Sequence, residues 1–176
     1  MVLRFKLASI PIEVEPSFWV ATVLLASDRL TAPHTLVSWV AVVFGSVLLH
    51  EMGHALVLAR LGHRPSVALN MMGGQAQASI SSSLTWLAEI LVAVSGPLAG
   101  LTLGIPLLLL SLVPGLFDLP FIGGVLTDLL HVNLGWSLLN LLPVLPLDGG
   151  LVTRALLRRS TAARPTRRAH EISIGV

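Results

Sequence analysis

Cysteine is absent and charge is scarce. Of 176 residues, 11% are charged and 54% are hydrophobic. Without cysteine neither a disulfide framework nor a thiolate metal site is possible. A soluble domain carries roughly 25% charged residues, so this chain has too little polar surface to cover a water-soluble globule. The mean hydropathy of +0.85 points the same way, and the composition reads as an integral membrane protein. A pI near 10.4 suggests nucleic acid, but the net charge is only +2. No aromatic residues interleave with basic ones to build a stacking surface, so a nucleic-acid partner is not expected. The opening "MVLRFKLASIPIEVEP" has no apolar core of signal-peptide length, and nothing in it reads as cleavable.

What is present is four long apolar segments, roughly 17–30, 35–61, 84–113 and 121–147. A spanning helix needs about 20 residues; the last three meet that, and the first is short and interrupted by Asp28 and Arg29. With the N-terminus inside, Arg4, Lys6, Arg60, Arg64, Arg154, Arg158, Arg159, Arg164, Arg167 and Arg168 fall on the cytoplasmic side, and Arg29 alone of the 11 basic residues falls outside. That bias is what orientation by positive loops requires. The expected fold is therefore an all-α polytopic membrane protein. It has about four transmembrane helices, both termini cytoplasmic, and a short membrane-associated β-hairpin centred on Gly73-Gly74 in "PSVALNMMGGQAQASISSS". Residues 1–176 are expected to form one core domain. Gly96, Gly100 and Gly104, four apart, share one helix face and permit close packing. Pro97 and Pro106 in the same segment predict kinks or local breaks.

The chemistry sits in "LLHEMGHALV", residues 48–57. His50 and His54 are four apart, so on a helix both imidazoles face one side, about a turn apart. Two such histidines can occupy two positions of a tetrahedral zinc ion. Glu51 lies about 100° round, where the glutamate of an H-E-x-x-H motif serves as general base. Charged groups deep in a membrane helix cost about 2.5–3.5 kcal/mol each on insertion scales and usually mark function. The bland alternative is a pair of core histidines hydrogen-bonded to neighbouring helices. A third metal ligand can come from Glu89, Asp128, His131 or Asp148. His54 lies six residues before Arg60, and Asp148 six before Arg154, which puts both about 9 Å inside the basic boundary. Asp128 and His131 fall toward the other face. Glu89 lies near the cytoplasmic face too, so depth leaves it open beside Asp148. Around Asp148, "NLLPVLPLDGG" cannot continue a regular helix, and broken backbone at membrane depth should line a polar cavity.

"HEMGH", "SGPLAG" and "NLLPVLPLDGG", in this order, resemble the site-2 protease family of intramembrane zinc metalloproteases. Every fixed position of the two metal motifs, H-E-x-G-H and N-x-x-P-x-x-P-x-D-G, matches. The resemblance covers roughly residues 10–159. It implies that Asp148 is the third ligand of one zinc ion per chain, with His50 and His54. It also implies that Glu51 is the base, and that Asn140 stabilises the oxyanion of the tetrahedral intermediate. Residues 71–78, with Met71, Met72, Gly73, Gly74 and Gln75, would form a β element along which substrate adds as a strand. Gly53 would let a neighbour approach the metal helix closely. The implied activity is hydrolysis of peptide bonds in transmembrane segments of other membrane proteins, in the bilayer of a prokaryotic cell. There is no room for the inserted PDZ domain of some relatives, and members often continue with further helices where this chain ends at "RRAHEISIGV". Two other functions fit parts of the pattern: a non-catalytic relative that binds partner helices, and a metal-ion transporter using Asp128, His131 and Asn133 toward the outer face. His34 and His63 read as loop residues, and the basic stretch 154–168 as a topology anchor or lipid-head contact. No feature assigns an oligomeric state.

Overall fold

The computed structural model describes residues 2–79 and 84–162. Strands β1 (Leu3–Leu7) and β2 (Ile10–Val14) come first, then helix α1 (Pro16–Leu24) and a 3₁₀ turn, Ser27–Arg29. Helix α2 (Pro33–Arg60) leads into β3 (Arg64–Asn70) and β4 (Gly73–Ser79), followed by α3 (Trp86–Leu110). One continuous helix then runs over Ile122–Asn140. It consists of α4 (Ile122–Leu130), a π turn at His131–Gly135 and α5 (Trp136–Asn140). After a loop, α6 (Asp148–Ala162) begins.

Three helices are long and apolar enough to cross a membrane: Pro33–Arg60, Trp86–Leu110 and Ile122–Asn140. Large side chains such as Leu24, Val37, Leu109 and Leu112 stand exposed, as side chains facing lipid do. The first apolar segment yields α1 of nine residues, about 13 Å long against a hydrocarbon core of about 30 Å. It packs against α2. Phe18 packs on Phe44, and the Trp39 indole N–H donates to the Thr22 carbonyl at 3.0 Å. The chain therefore climbs antiparallel to the first half of α2, starting where β2 ends.

The sheet has four strands in the order β1-β2-β3-β4, antiparallel except for the parallel pair β2–β3. The sequence suggested one hairpin; a second, β1–β2, adds to it. Ile10, Ile12 and Val14 alternate inward and pack with Val67 and Leu69 against Val43, Val47, Met52 and Ala55 of α2. The expected turn is also shifted. Met71-Met72 forms the loop, with Asn70 opposite Gly73. The Asn70 side chain accepts the Met72 N–H at 2.9 Å, and Gly73 adopts φ +109°. An Asx-type contact thus sets the turn two residues before the Gly-Gly pair.

Helix α3 runs through Pro97 and Pro106 without a break. The fourth segment ends its helix at Asn140, seven residues earlier than the apolar run. His34 lies in the first turn of α2 rather than in a loop, whereas His63 is in the α2–β3 connection. His170 and the basic residues after 162 lie outside the described residues.

At the end of α2 opposite Arg60, Arg29 reaches across to the fourth helix. Its guanidinium forms a two-pronged pair with Asp128, at 2.5 and 2.8 Å, and stacks on Trp39. Asp128 is 6% exposed. Arg29→Ala strands a buried carboxylate, a change that costs about 3–5 kcal/mol when both partners are buried. Arg29 is part-exposed, so thermal unfolding in detergent should show a loss at or below that range. Asp128→Asn should cost less.

Candidate metal centre

His50, Glu51 and His54 lie in the C-terminal half of α2 and are buried. Their helix can meet α3 closely because two positions carry no side chain. A Cβ at Gly53 would stand 2.5 Å from the Ser95 carbonyl oxygen and 2.9 Å from Ala99 Cβ. A Cβ at Gly96 would overlap His54 Nε2 and lie 2.8 Å from His50 Nε2. The close approach expected at Gly53 is present, and Gly96 completes it from the other helix.

Asp148 arrives from the break after Asn140. The loop 141–147 folds back on the start of α6 so tightly that a Cβ at Gly149 would overlap the Leu141 carbonyl. One at Gly150 would meet the backbone of Val144 and Leu145 at 2.6 Å. Asp148 thus begins a helix beside the histidines. Its Oδ2 lies 3.1 Å from His50 Nε2 and its Oδ1 3.4 Å from His54 Nε2; the two Nε2 atoms are 3.2 Å apart. Tetrahedral zinc with bonds of about 2.0–2.1 Å places its ligand atoms about 3.3–3.4 Å from one another. With either carboxylate oxygen as the ligand, two edges of the donor triangle have about that length, and one ligand atom from each residue lies within 4.8 Å of the others. Among the described residues these three are the His, Cys, Asp or Glu side chains grouped closely enough to hold one ion.

The tautomer fits as well. His54 Nδ1 is 2.7 Å from the Val92 carbonyl, which can only accept. Nδ1 therefore carries the proton, and Nε2 of the neutral ring offers a lone pair to the centre.

Glu51 faces the same cleft, of about 430 Å³, which is also lined by Gly74, Gln75, Ala76, Trp136 and Asn140. A Cβ at Gly74 would run into the Glu51 side chain, so β4 lies directly against the carboxylate. The sheet order leaves β4 as an edge. Asn140 is 8% exposed and spends one amide hydrogen on the Trp136 carbonyl at 2.9 Å; the amide has a second. Of the other residues singled out, Met72 borders this cleft as well as an apolar pocket between α1 and the fourth helix, which Met71 and Gly73 also line.

Glu89, open as a ligand on depth, is instead paired with Arg158 at 2.7 Å. Asp128 is held by Arg29, Asn133 donates to Ser46, and His131 Nδ1 lies 2.9 Å from the Thr127 carbonyl. Trp136 and Ala76 were not singled out from the sequence. Trp136 stands one turn before Asn140, and that spacing is the signal that could have found it.

No protein-family model matches the chain. A zinc metalloprotease of Methanocaldococcus jannaschii is 31% identical over 160 residues, covering 88% of this chain and 45% of that protein. A protein of Synechocystis sp. with a provisional zinc-metalloprotease name is 38% identical over 120 residues, 67% of this chain and 31% of its own length. The chain therefore spans less than half of these curated relatives. The solved structure of the site-2 protease from Methanocaldococcus jannaschii superposes with a TM-score of 0.70 at 30% identity, covering 90% of this chain and 73% of that one. The chain belongs to the site-2 protease family. It is accordingly a multi-pass membrane protein, mostly helical, with a small sheet. In this member the motifs HEMGH and PLDGG, far apart in sequence, meet at one triangle of donor atoms.

Replacing Gly96 by valine should push the imidazoles off that triangle. The expected result is loss of stoichiometric metal in the purified protein, measured by elemental analysis, with the helical circular dichroism retained.

Proposed function

We propose that the chain is the catalytic core, over residues 1–176, of an intramembrane zinc metalloprotease that hydrolyses peptide bonds within transmembrane segments of other membrane proteins. The observation that carries this reading is the cluster of His50, His54 and Asp148, close enough to share one ion, with Glu51 beside it and an edge strand alongside.

His50, His54 and Asp148 would hold one zinc ion per chain. The zinc, when bound, supplies Lewis-acid polarisation of the attacking water and the scissile carbonyl. Glu51 takes the proton of the attacking water and returns it to the leaving nitrogen. The free amide hydrogen of Asn140 donates to the developing oxyanion. A substrate helix hides its scissile bond in its own hydrogen bonds. Pairing with the β4 edge at Gly73, Gly74 and Gln75 would replace those bonds once the helix unwinds. Met71 and Met72, 66% and 76% exposed at the tip of the hairpin, give the incoming segment an adaptable apolar surface.

The orientation that best fits has the N-terminus and α6 on the cytoplasmic side of a prokaryotic cell membrane. Segment 16–32 makes a fourth pass that is short because the sheet fills the rest of its depth. Arg60, Arg64, Arg154, Arg158 and Arg159 then share one boundary. Water reaches the centre from that side. The transporter reading needs Asp128 free along an outward path, and Arg29 occupies it.

Glu51→Gln should keep the metal and lower cleavage of a labelled single-span substrate by about 10²–10⁴-fold, the usual scale for removing a general base. Wild-type turnover in that variant would remove Glu51 from the mechanism. Asp148→Asn should weaken zinc against a competing chelator, and an unchanged affinity would exclude ligation by Asp148.

A further inference from the structure

The seam behind the histidines holds more polar groups than its hydrogen bonds satisfy. Four buried side-chain nitrogen or oxygen atoms among the described residues have no partner: His50 Nδ1, Asn133 Oδ1, Ser137 Oγ and His63 Nδ1. His63 lies beyond the end of α2. The other three belong to α2 and the fourth helix, which meet where Asn133 donates to Ser46, one turn before His50 on α2 and one turn before Ser137 on the fourth helix.

The register is set by α3. Gly96 faces the imidazoles, Gly100 faces Ser137, and Gly104 faces the backbone of Asn133 and Leu134. Each step of four residues is about 6 Å. On α2, Ser46 stands one turn before His50 and accepts the Asn133 amide at 2.8 Å. At its glycine positions α3 contributes no polar side chain to this seam. The π turn at His131–Gly135 carries Asn133, and such turns recur at functional sites.

The unmet groups are chemically complementary. With Nε2 directed at the metal triangle, neutral His50 carries its proton on Nδ1 and needs an acceptor. Both amide hydrogens of Asn133 are used, on Ser46 and on the Leu129 carbonyl, so its oxygen needs a donor. Ser137, 1% exposed, can do both. None of the three atoms has a direct hydrogen-bond partner, so a link between them passes through water with polar partners on several sides. In an apolar bilayer an unmet donor and acceptor would each cost several kcal/mol, so the seam favours water.

We propose that Ser137, with Asn133 and Ser46, forms a buried hydrated spine that gives His50 Nδ1–H its acceptor, and that Ser137 is a positioning residue for this metal ligand. The inference rests on the metal-centre reading for its consequence. Its hydrogen bond is independent of that reading. Ligating histidines almost always donate their second nitrogen to a carboxylate, carbonyl or water. His54 does so to Val92, and the spine does the same for His50.

The test uses the full chain in lipid nanodiscs, labelled with ¹⁵N-histidine. The His50 Nδ1–H resonance should exchange magnetisation with water in wild type and lose that cross-peak in Ser137→Ala, while the His54 signal stays. Zinc affinity, read by chelator competition, should fall about 10–100-fold in Ser137→Ala. Ser137→Cys keeps the volume but is a weak hydrogen-bonder. It should behave like alanine if the hydroxyl acts through hydrogen bonding and like serine if it merely fills space. A wild type with no water cross-peak at Nδ1 overturns the spine. So does a folded Ser137→Ala or Ser137→Cys that keeps both the cross-peak and the zinc affinity. A wild type that binds no zinc overturns the metal reading instead, and the cross-peak still decides the spine.

Discussion

The site depends on α2 and α3 touching without side chains between them. At Gly53 the neighbouring backbone occupies the space a Cβ would need, and at Gly96 the two imidazoles do so from the opposite helix. Lipid tails are as apolar as leucine, so helices in a bilayer gain nothing by hiding apolar surface from each other. They associate through close packing and polar contacts. Small residues at this crossing therefore do two things at once. They bring the helices near enough to hold together, and they leave beside α3 the volume in which Nε2 of His50 and of His54 converge.

From that crossing follows the distribution of polar groups. In lipid each must find a partner inside the protein. The His54 Nδ1–H goes to the Val92 carbonyl, Asp128 to Arg29, and Asn133 to Ser46. The sheet solves a related problem. Its strands pair with one another and pack their buried faces, Ile12, Val14, Val67 and Leu69, on α2. This irregular-looking part of the chain can therefore sit beside a spanning helix, with β4 left as the edge that borders Glu51.

What could be read from the sequence was what depends on local spacing. His50 and His54 on one face, and the glycine row of α3, follow from helical geometry alone, and both are as expected. Asp148 at the level of the histidines followed from counting residues to the basic boundary, and the break before it from the two prolines and two glycines around it. What the sequence did not show is that the aspartate itself opens the next helix. The first hairpin escaped notice because its loop, Ala8-Ser9, lacks the usual turn signature. Both residues take positive φ, 48° and 67°, where Asn-Gly is the common choice; the alternation of Ile10, Ile12 and Val14 was the remaining signal. The turn of the second hairpin was misplaced for the opposite reason. Gly73-Gly74 looked like a loop, yet the Asn70 side chain fixes the turn earlier. The second glycine instead makes room for the Glu51 side chain, a tertiary demand that no local pattern reveals.

The third ligand shows why the break must be where it is. An aspartate within a regular continuation of the fourth helix would point wherever helical phase dictated. Ending that helix at Asn140 and restarting at Asp148 frees the carboxylate from that phase. Besides the packing of α6 on α3, which buries Ala155, two local features hold the restart in place: the backbone packing of Gly149 and Gly150 against residues 141–145, and the Arg158–Glu89 pair tying α6 to the first turn of α3. They are not equal. The arginine side chain is 59% exposed, and exposed pairs contribute about 0–1 kcal/mol. The glycine contacts are backbone against backbone and leave no room for even a methyl group. Of these two local features the glycine contacts constrain Asp148 more tightly, which explains in physical terms why the ligand comes in the sequence PLDGG.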